Sequence, residues 1–243
     1  MSYGDSTRRN STFFVGLGDV GRASSHGESI RCTLVGDAKV GKTSMLLSFQ
    51  ADSFPTQHVP TMFDSYSKRT KYESCDVNLL LYDTGGGNEL TQCGPQGSIG
   101  TDIFLLCFSV DDPNSFDNIS EKWLDEVQKS YAMSEDSVDG ANISSSGPIM
   151  ILVGCKTDTR FTNPVFKDIR ALRKSSAPDR KLEKQPSIEQ PTITVQQGVK
   201  LANDIQARRY MESCARKGIG LKEIFDEAIK AVLDRRMYAS TKR

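Results

Sequence analysis

The chain has 243 residues, which is enough for one sizeable α/β core with residues left over for tails and insertions. Its 31 Lys and Arg residues balance 31 Asp and Glu residues, so nucleic acid is not expected as a partner. No apolar run reaches membrane-spanning length and no secretory signal opens the chain, so we expect a cytoplasmic protein. Six cysteines without a C-x-x-C pair argue against a zinc site or disulfide framework, and we expect most to be buried hydrophobes.

The first 29 residues are rich in Ser, Gly, Arg and Asp, which predicts a flexible N-terminal arm. Within this arm, residues 16–21 match the G-x-G-x-x-G pattern of dinucleotide-binding folds. No strand of sufficient length precedes the pattern, and the residues after it do not open a convincing helix. We therefore interpret it as arm sequence rather than as a cofactor site.

From Ile30 onwards, apolar segments of strand length alternate with helical patterns. Continuous apolar runs indicate parallel strands that are covered on both faces. We therefore predict an α/β fold with a doubly wound, mostly parallel six-stranded sheet and helices on both faces. The predicted strands are residues 30–35, 62–71, 77–82, 103–110, 149–153 and 210–214, and the predicted helices are residues 43–50, 115–131 and 221–233.

Two segments interrupt this alternation. Residues 134–147 are rich in Ser and acidic residues, and residues 160–191 carry many charges and four prolines. We interpret both as surface insertions in one domain that covers residues 30–237, with a short helix in the second insertion near residues 166–174. Residues 238–243 are expected to form a short tail.

The strongest motif is Gly-Asp-Ala-Lys-Val-Gly-Lys-Thr at residues 36–43, which fits G-x-x-x-x-G-K-[ST] between a predicted strand and a predicted helix. Glycines let successive backbone N–H groups converge on a phosphate, and the positive end of the following helix adds to the attraction. Lys42 supplies a cation for the β- and γ-phosphates, and the Thr43 hydroxyl binds Mg²⁺. The candidate residues are Gly36, Asp37, Ala38, Lys39, Val40, Gly41, Lys42, Thr43 and Ser44.

Three weaker motifs gain meaning from their positions along the chain. Asp158 follows an apolar strand, and its carboxylate can accept hydrogen bonds from guanine N1–H and the 2-amino group, a donor pair that adenine lacks. Asp83 ends the third predicted strand, where it can hold Mg²⁺ through water, and the Gly86 amide can reach a γ-phosphate. Thr61, in the loop after the first helix, can close over the metal. Together with Cys155 and Lys156, these residues predict a guanine-nucleotide site.

Over residues 30–233 the chain resembles the Rho family of small GTPases, most closely the Rac-like branch. The resemblance implies a G domain of the P-loop NTPase fold that binds GTP or GDP with Mg²⁺. It implies that Phe54 packs edge-on to guanine, that Cys214 and Ala215 belong to the base site, and that Thr61 coordinates Mg²⁺ in the GTP state. It is carried by residues 36–44, 54–66, 83–87, 102–109, 152–158 and 193–233.

The resemblance also implies partners. Effector proteins are expected to contact the segment from His58 to Tyr66 and the segment from Asn88 to Gly100, and an exchange factor is expected to load the nucleotide. The family's roles suggest control of the cytoskeleton, polarity or membrane trafficking by a monomer. Because the sequence ends without a cysteine to prenylate, we expect recruitment to membranes only through partner proteins.

Departures from the family pattern concern hydrolysis. Gly87 stands where the family has the glutamine that orients the attacking water, and Ala38 replaces a glycine where an arginine finger approaches. His58 replaces the aromatic residue that usually lies over the phosphates. Since the glutamine and the arginine finger together accelerate hydrolysis on the order of 10⁵-fold, we expect slow hydrolysis. In these features the chain is similar to the Rnd-type Rho proteins, which remain loaded with GTP.

Two alternatives stay open at this point. The chain can be a conventional switching GTPase in which Asn88 or Gln92 orients the water. It can also be an ATP-using P-loop kinase, in which case Asp158 is incidental to base selection. No residue is assigned a confirmed catalytic role.

Overall fold

A computed structural model describes residues 27–54, 63–85, 100–135, 147–162 and 192–241. These residues form a six-stranded sheet. The strands are β1 (Gly27–Val35), β2 (Phe63–Tyr72), β3 (Cys75–Thr84), β4 (Ile103–Ser109), β5 (Met150–Cys155) and β6 (Arg209–Glu212), and their order in the sheet is β2-β3-β1-β4-β5-β6. The β2–β3 pair is antiparallel and the other four pairs are parallel, so the predicted α/β fold with a mostly parallel sheet is confirmed.

Helices cover both faces of this sheet. The helices are α1 (Lys42–Ala51), α2 (Pro113–Asn118), α3 (Leu124–Glu135), α4 (Thr159–Thr162), α5 (Val195–Asp204) and α6 (Leu221–Thr241). A π-helical turn (Ile119–Trp123) joins α2 to α3, so the single helix predicted there is a continuous helical segment with one wider turn. The start of α2 is fixed by the Asp112 carboxylate, which accepts a hydrogen bond from the backbone N–H of Ser115.

Several boundaries differ from the predicted ones. β1 begins at Gly27, inside the predicted arm of residues 1–29, because its polar first residues pair with Asp76–Asn78 of β3. Helix α6 continues through Thr241, beyond the predicted end at residue 233, so residues 238–241 of the predicted short tail are helical. β6 ends at Glu212 because Cys214 leaves the sheet to pair with Ile219. The helix predicted near residues 166–174 lies outside the described residues.

Helix α5 is absent from the predicted elements, although the sequence contains a signal for it. Thr194 and Gln197 form a reciprocal capping box at its start, the Thr-x-x-Gln pattern that indicates a helix N terminus. The buried residues of α5, Gly198 and Ala202, are small, whereas Val195 and Val199 are exposed, so the sequence shows no stripe of large apolar residues on the core side of this helix.

The two faces of the sheet bury separate hydrophobic clusters. The first cluster lies against α1 and α6, where the rings of Phe49 and Phe225 stack with centroids 3.9 Å apart. The second lies against α2, α3 and α5 and contains the fully buried Trp123. Four cysteines are buried as expected (Cys32, Cys107, Cys155 and Cys214), whereas Cys75 is exposed. None of the helices in the described ranges is long and apolar enough to cross a membrane.

β1 lies at the centre of the sheet, at the point where the order in which the chain adds strands reverses. β1 has β3 on one side and β4 on the other, so the chain after β1 winds first one way and then the other. In sheets of this kind, ligands bind at the carboxyl ends of the strands at such a switch point. The loop that follows β1 is the one that carries the Gly36–Thr43 motif.

Candidate functional site

A cavity of about 530 Å³ opens at the carboxyl ends of the parallel strands. Its walls come from five separated parts of the chain: the loop after β1 with the start of α1, Phe54 beyond the end of α1, the end of β3, the loop after β5, and the loop after β6. It therefore joins motifs that are more than a hundred residues apart, such as Lys42 and Asp158. The lining residues are Ala38, Lys39, Gly41, Lys42, Thr43, Ser44, Phe54, Thr84, Gly85, Cys155, Lys156, Asp158, Thr159, Ser213, Ala215 and Arg216.

Backbone conformation shapes the loop after β1, which we call the phosphate loop (residues 36–43). Gly36 has φ of 144°, and a Cβ atom placed on it would lie 2.0 Å from the carbonyl oxygen of Cys107. Gly41 has φ of 118°, where residues with side chains are strained, and Lys39 adopts a left-handed φ of 65°. Runs of residues with alternating φ signs are the backbone arrangement in which successive N–H groups form an anion-binding concavity.

The Lys42 ammonium is held under this loop. The residue is only 4 % exposed, and its Nζ donates to the carbonyl oxygens of Gly36 and Asp37, both at 2.7 Å. Burial lowers the pKa of the Lys42 ammonium, while nearby acidic groups including Asp83 counteract part of that effect. A desolvated cation beside converging N–H groups makes the loop strongly attractive to a phosphate.

Two oxygen-bearing side chains meet beside the ammonium. The Thr43 hydroxyl donates to Asp83 Oδ2 at 2.5 Å, and Asp83, near the end of β3, is fully buried. Thr84 secures that strand end, because its hydroxyl donates to the Leu34 carbonyl of β1 at 2.8 Å. A hydroxyl and a carboxylate are hard oxygen donors of the kind that Mg²⁺ prefers, so these residues fit the predicted metal.

The opposite end of the cavity is formed by the loops after β5 and β6. Thr157 donates its backbone N–H to the Ser213 carbonyl at 3.2 Å and its hydroxyl to the same oxygen at 3.3 Å, which fixes one loop to the other. The Cys214 side chain lies next to the Asp158 carboxylate. Burial, together with this carboxylate, raises the pKa of Cys214, so the thiol stays protonated at neutral pH.

An ion pair supports these two loops from behind. Arg160 donates to both carboxylate oxygens of Glu212, at 2.7 and 2.8 Å, and also to the Ile193 carbonyl at 3.1 Å. The Tyr210 hydroxyl donates to Glu212 at 2.7 Å. Burial opposes ionisation of Glu212, but Arg160 and Tyr210 outweigh it and lower the pKa of the carboxyl. The pair thus joins the segment after Asp158 to the strand before Ser213.

The geometry agrees with a comparison against known families. A sequence model of the Ras family matches residues 31–234, which is most of the chain. The chain belongs to the Ras family of small GTPases. Members of this family generally bind GTP or GDP together with Mg²⁺, and membership supports a GTP-binding signalling protein. The cavity of this Ras-family domain contains its phosphate loop at one end and Asp158 at the other.

The cavity brings together most of the residues predicted from sequence. Eleven of them line it: Ala38, Lys39, Gly41, Lys42, Thr43, Ser44, Phe54, Cys155, Lys156, Asp158 and Ala215. Gly36 and Val40 are buried, the backbone oxygen of Asp37 accepts from Lys42, and Cys214 lies next to Asp158. Thr61, Gly86, Gly87 and His58 lie outside the described residues, as do most of the two predicted effector segments.

Five lining residues of the Ras-family cavity are not among the predicted ones: Thr84, Gly85, Thr159, Ser213 and Arg216. Each adjoins a recognised motif, either on the strand end after Asp83 or in the loops around Asp158 and Ala215. Neighbouring positions in a tight loop commonly share one cavity wall, so extending each motif by one residue on either side would find all five. The contact of Ser213 with Thr157, by contrast, is visible only in the structure.

Proposed function

We propose that this Ras-family protein is a Rho-like, GTP-binding signalling protein whose GTP hydrolysis is slow or deficient. The observation that carries the proposal is the single cavity that joins Lys42, Thr43 and Asp158. A cation and converging amides at one end suit a triphosphate, and a carboxylate at the other end suits a base with adjacent donors. The distance along the chain between these motifs makes their meeting in one cavity a strong argument for a nucleotide.

Each end of the cavity has a proposed role in binding. Lys42 holds the β- and γ-phosphates, and Thr43 and Asp83 hold Mg²⁺, the latter through water. When bound, the metal neutralises phosphate charge. Asp158 accepts from guanine N1–H and the 2-amino group, with the protonated Cys214 thiol next to its carboxylate. The Ala215 backbone N–H meets guanine O6. Phe54, whose side chain is 44 % exposed at the cavity wall, packs edge-on to the base.

Base selection is tested by Asp158→Asn. An amide at this position offers one oxygen and one N–H₂ group, so it cannot accept from both guanine donors. We expect roughly a 10- to 100-fold weaker affinity for GTP and a gain in affinity for xanthine nucleotides, measured by competition against a fluorescent guanine nucleotide. Asp125→Asn on the exposed face of α3 is the matched control. An unaltered base preference in Asp158→Asn, or equal competition by ATP in the wild type, removes the guanine assignment.

Slow hydrolysis follows from two positions. Gly87 lacks the side-chain amide that orients water in related enzymes, and the methyl group of Ala38, which lines the cavity, obstructs the approach of an arginine finger. Either loss removes a group that lowers the barrier of phosphoryl transfer. The residues proposed to bind the nucleotide and Mg²⁺ are all present, namely Lys42, Thr43, Asp83 and Asp158. We therefore expect the protein to bind GTP even though it hydrolyses GTP slowly.

Single-turnover hydrolysis of bound radiolabelled GTP tests this part of the proposal. We expect wild-type protein to retain GTP for hours and Gly87→Gln to hydrolyse it at least about tenfold faster. Gly87→Ala, which adds no amide, is the matched control and should resemble the wild type. Rapid wild-type hydrolysis that a Rho-activating protein accelerates, with no gain from Gly87→Gln, would instead favour a conventional GTPase in which Asn88 or Gln92 orients the water.

Effector contact is proposed for the segments from His58 to Tyr66 and from Asn88 to Gly100. One support is the resemblance to Rho proteins. The other is that Gly85, three residues before the second segment, lines the cavity. A signalling switch of this kind binds effectors only when GTP is loaded. Pull-down with GTP-loaded and GDP-loaded protein should therefore recover different partners, and identical recoveries would contradict a nucleotide-dependent switch.

A further inference from the structure

Asp37 lies in the phosphate loop directly after Gly36, and its carboxylate is held by two side chains from a distant part of the chain. Trp123 donates its indole N–H to Oδ1 at 2.7 Å, and Asn118 donates its amide N–H to Oδ2 at 2.7 Å. The backbone oxygen of Asp37 accepts from Lys42 Nζ, also at 2.7 Å. Asp37 therefore connects the buried ammonium of the cavity to the helical segment of residues 113–135.

The π-helical turn explains how both donors reach one carboxylate. Asn118 immediately precedes this turn and Trp123 ends it. In an α-helix of 3.6 residues per turn, side chains five positions apart point about 140° away from each other. The wider turn brings the two side chains to the same side of the helix. Such turns are uncommon in helices and occur frequently at functional sites.

The indole is a firmly placed donor. Trp123 is fully buried in the second hydrophobic cluster, so its ring cannot shift without disturbing the core. The Lys122 ammonium lies 4.2 Å from the centroid of the same ring and adds a cation–π contact. A donor that is fixed in a packed core restricts the position of the acceptor that it binds. Here that acceptor is the carboxylate of Asp37 in the phosphate loop.

An aspartate at position 37 is suited to accepting two hydrogen bonds and is unsuited to binding the phosphates directly. An ionised carboxylate is purely an acceptor, so it satisfies both N–H donors, whereas an asparagine would turn its own N–H₂ group towards one of them. A negative charge in a loop that receives a triphosphate also disfavours the ligand electrostatically. An aspartate at position 37 therefore gains nothing from the phosphates and contributes through the two donors.

We propose that Asp37 is a positioning residue: its bonds to Asn118 and Trp123 hold the phosphate loop in the shape that retains the nucleotide. Nucleotide retention then depends on the helical segment of residues 113–135, which lies on the face of the sheet away from α1 and α6. This inference rests on the proposed binding of GTP and names a residue that supports it.

The test measures the release rate of a fluorescent GTP analogue from full-length protein with Mg²⁺ present. Asp37→Asn removes a negative charge, so a purely electrostatic role predicts slower release than in the wild type. The positioning role predicts the opposite, a release about tenfold faster, because a hydrogen bond to a charged acceptor is lost. The electrostatic and positioning hypotheses therefore predict opposite changes in the release rate. Release at the wild-type rate or slower overturns the inference.

Trp123→Phe tests the other end of the contact, because it removes the indole N–H and keeps an aromatic ring. We expect release several-fold faster, and the double variant with Asp37→Asn should release no faster than Asp37→Asn alone. Val127→Ala is the control for core packing, since Val127 is fully buried in the same cluster. Multiplying effects in the double variant, or equal effects of Trp123→Phe and Val127→Ala, would show that the contact does not position the loop.

A spectroscopic readout separates this inference from the proposed function. Trp123 is the only tryptophan, so its emission reports on the contact. We expect emission to change when the nucleotide-free wild type is loaded with GTP and Mg²⁺, and Asp37→Asn to abolish that change. A response that survives Asp37→Asn contradicts the inference alone. A wild type that binds no guanine nucleotide in the release assay contradicts the proposed function and this inference with it.

Discussion

The two ends of the cavity are built in different ways. The phosphate end is one continuous loop whose shape depends on backbone conformation: Gly36 and Gly41 have positive φ, and the Gly36 position leaves no room for a Cβ atom. The base end is assembled from two loops that are more than fifty residues apart, and side-chain contacts hold them together. Thr157 binds Ser213, and behind them Arg160 binds Glu212.

This difference determines how each end tolerates change. Where the loop depends on backbone conformation, one substitution has a large effect. A methyl group added at Gly36 must displace main-chain atoms. An end held by several partly exposed side chains loses stability gradually, because each contact contributes only a fraction of the total. Adding a side chain to a glycine of the phosphate loop should therefore cost the fold or the ligand. Removing one supporting side-chain contact, at the base end or at Asp37, should instead give a faster release of nucleotide.

The largest effect is expected for Gly36→Ala. Its Cβ atom would lie 2.0 Å from the backbone oxygen of Cys107, which cannot move without disturbing β4. We expect unfolding free energy to fall by about 4 kcal/mol and the melting temperature by about 8 °C or more. The matched control is Gly147→Ala, which also has positive φ (63°) but no heavy atom within 4 Å of the added Cβ. Similar melting temperatures in the two variants would show that the close approach is not important.

The second-largest effect is expected for Lys42→Ala, which tests how much the buried ammonium contributes to GTP affinity at the phosphate end. Removing the buried ammonium leaves the phosphate end without its cation, and we expect at least about a 100-fold loss of GTP affinity. Lys39→Ala provides the control, because Lys39 lines the same cavity but is exposed, so its charge is screened by water. Isothermal titration with GTP and Mg²⁺ measures both. Equal losses would mean that net charge, rather than the buried ammonium, attracts the nucleotide.

The smallest effect is expected for Glu212→Gln at the base end. Loss of the charged partner of Arg160 should lower the unfolding free energy by about 1 kcal/mol and speed GTP release a few-fold. Because the pKa of Glu212 is lowered in the folded state, its stabilisation is complete above the usual glutamate pKa and is lost as pH falls through the lowered value.

The melting temperatures of wild type and Glu212→Gln should therefore differ at pH 7 and converge in acid, below the ordinary glutamate range of roughly pH 4. Glu223→Gln, on the exposed side of α6, is a control that should show neither effect. A difference that persists in strong acid would mean that packing, and not the charge of Glu212, supports the loops.

The same contrast explains which features are predictable from sequence. The phosphate loop is a local pattern with fixed spacing, so the motif alone places Lys42 and Thr43 correctly at the start of α1. The sheet follows from apolar runs such as those of β4 and β5, which are buried along their whole length. Strand ends are less well predicted, because polar residues such as Glu28 take part in pairing without an apolar signal. The end of α6 is missed because its last residues are exposed and extend the helix without adding to the apolar stripe.

Contacts between distant segments are not predictable in this way. The Arg160–Glu212 pair and the bonds of Asp37 to Asn118 and Trp123 join residues that are 52 to 86 positions apart. No local periodicity relates such residues, because the sheet topology alone decides that they meet. Asp37 illustrates the limit: the sequence indicates that it belongs to the phosphate loop, and only the fold shows that its carboxylate points away to the helical segment.

The most direct test of the account is the nucleotide that the full-length protein retains when it is purified with Mg²⁺ present. Denaturing the protein and separating the released nucleotides by chromatography identifies the base and counts the phosphates together. The account predicts about one guanine nucleotide per chain, mostly GTP, as expected for tight binding with slow hydrolysis. Protein that releases no guanine nucleotide, or that releases adenine nucleotide in its place, would contradict it.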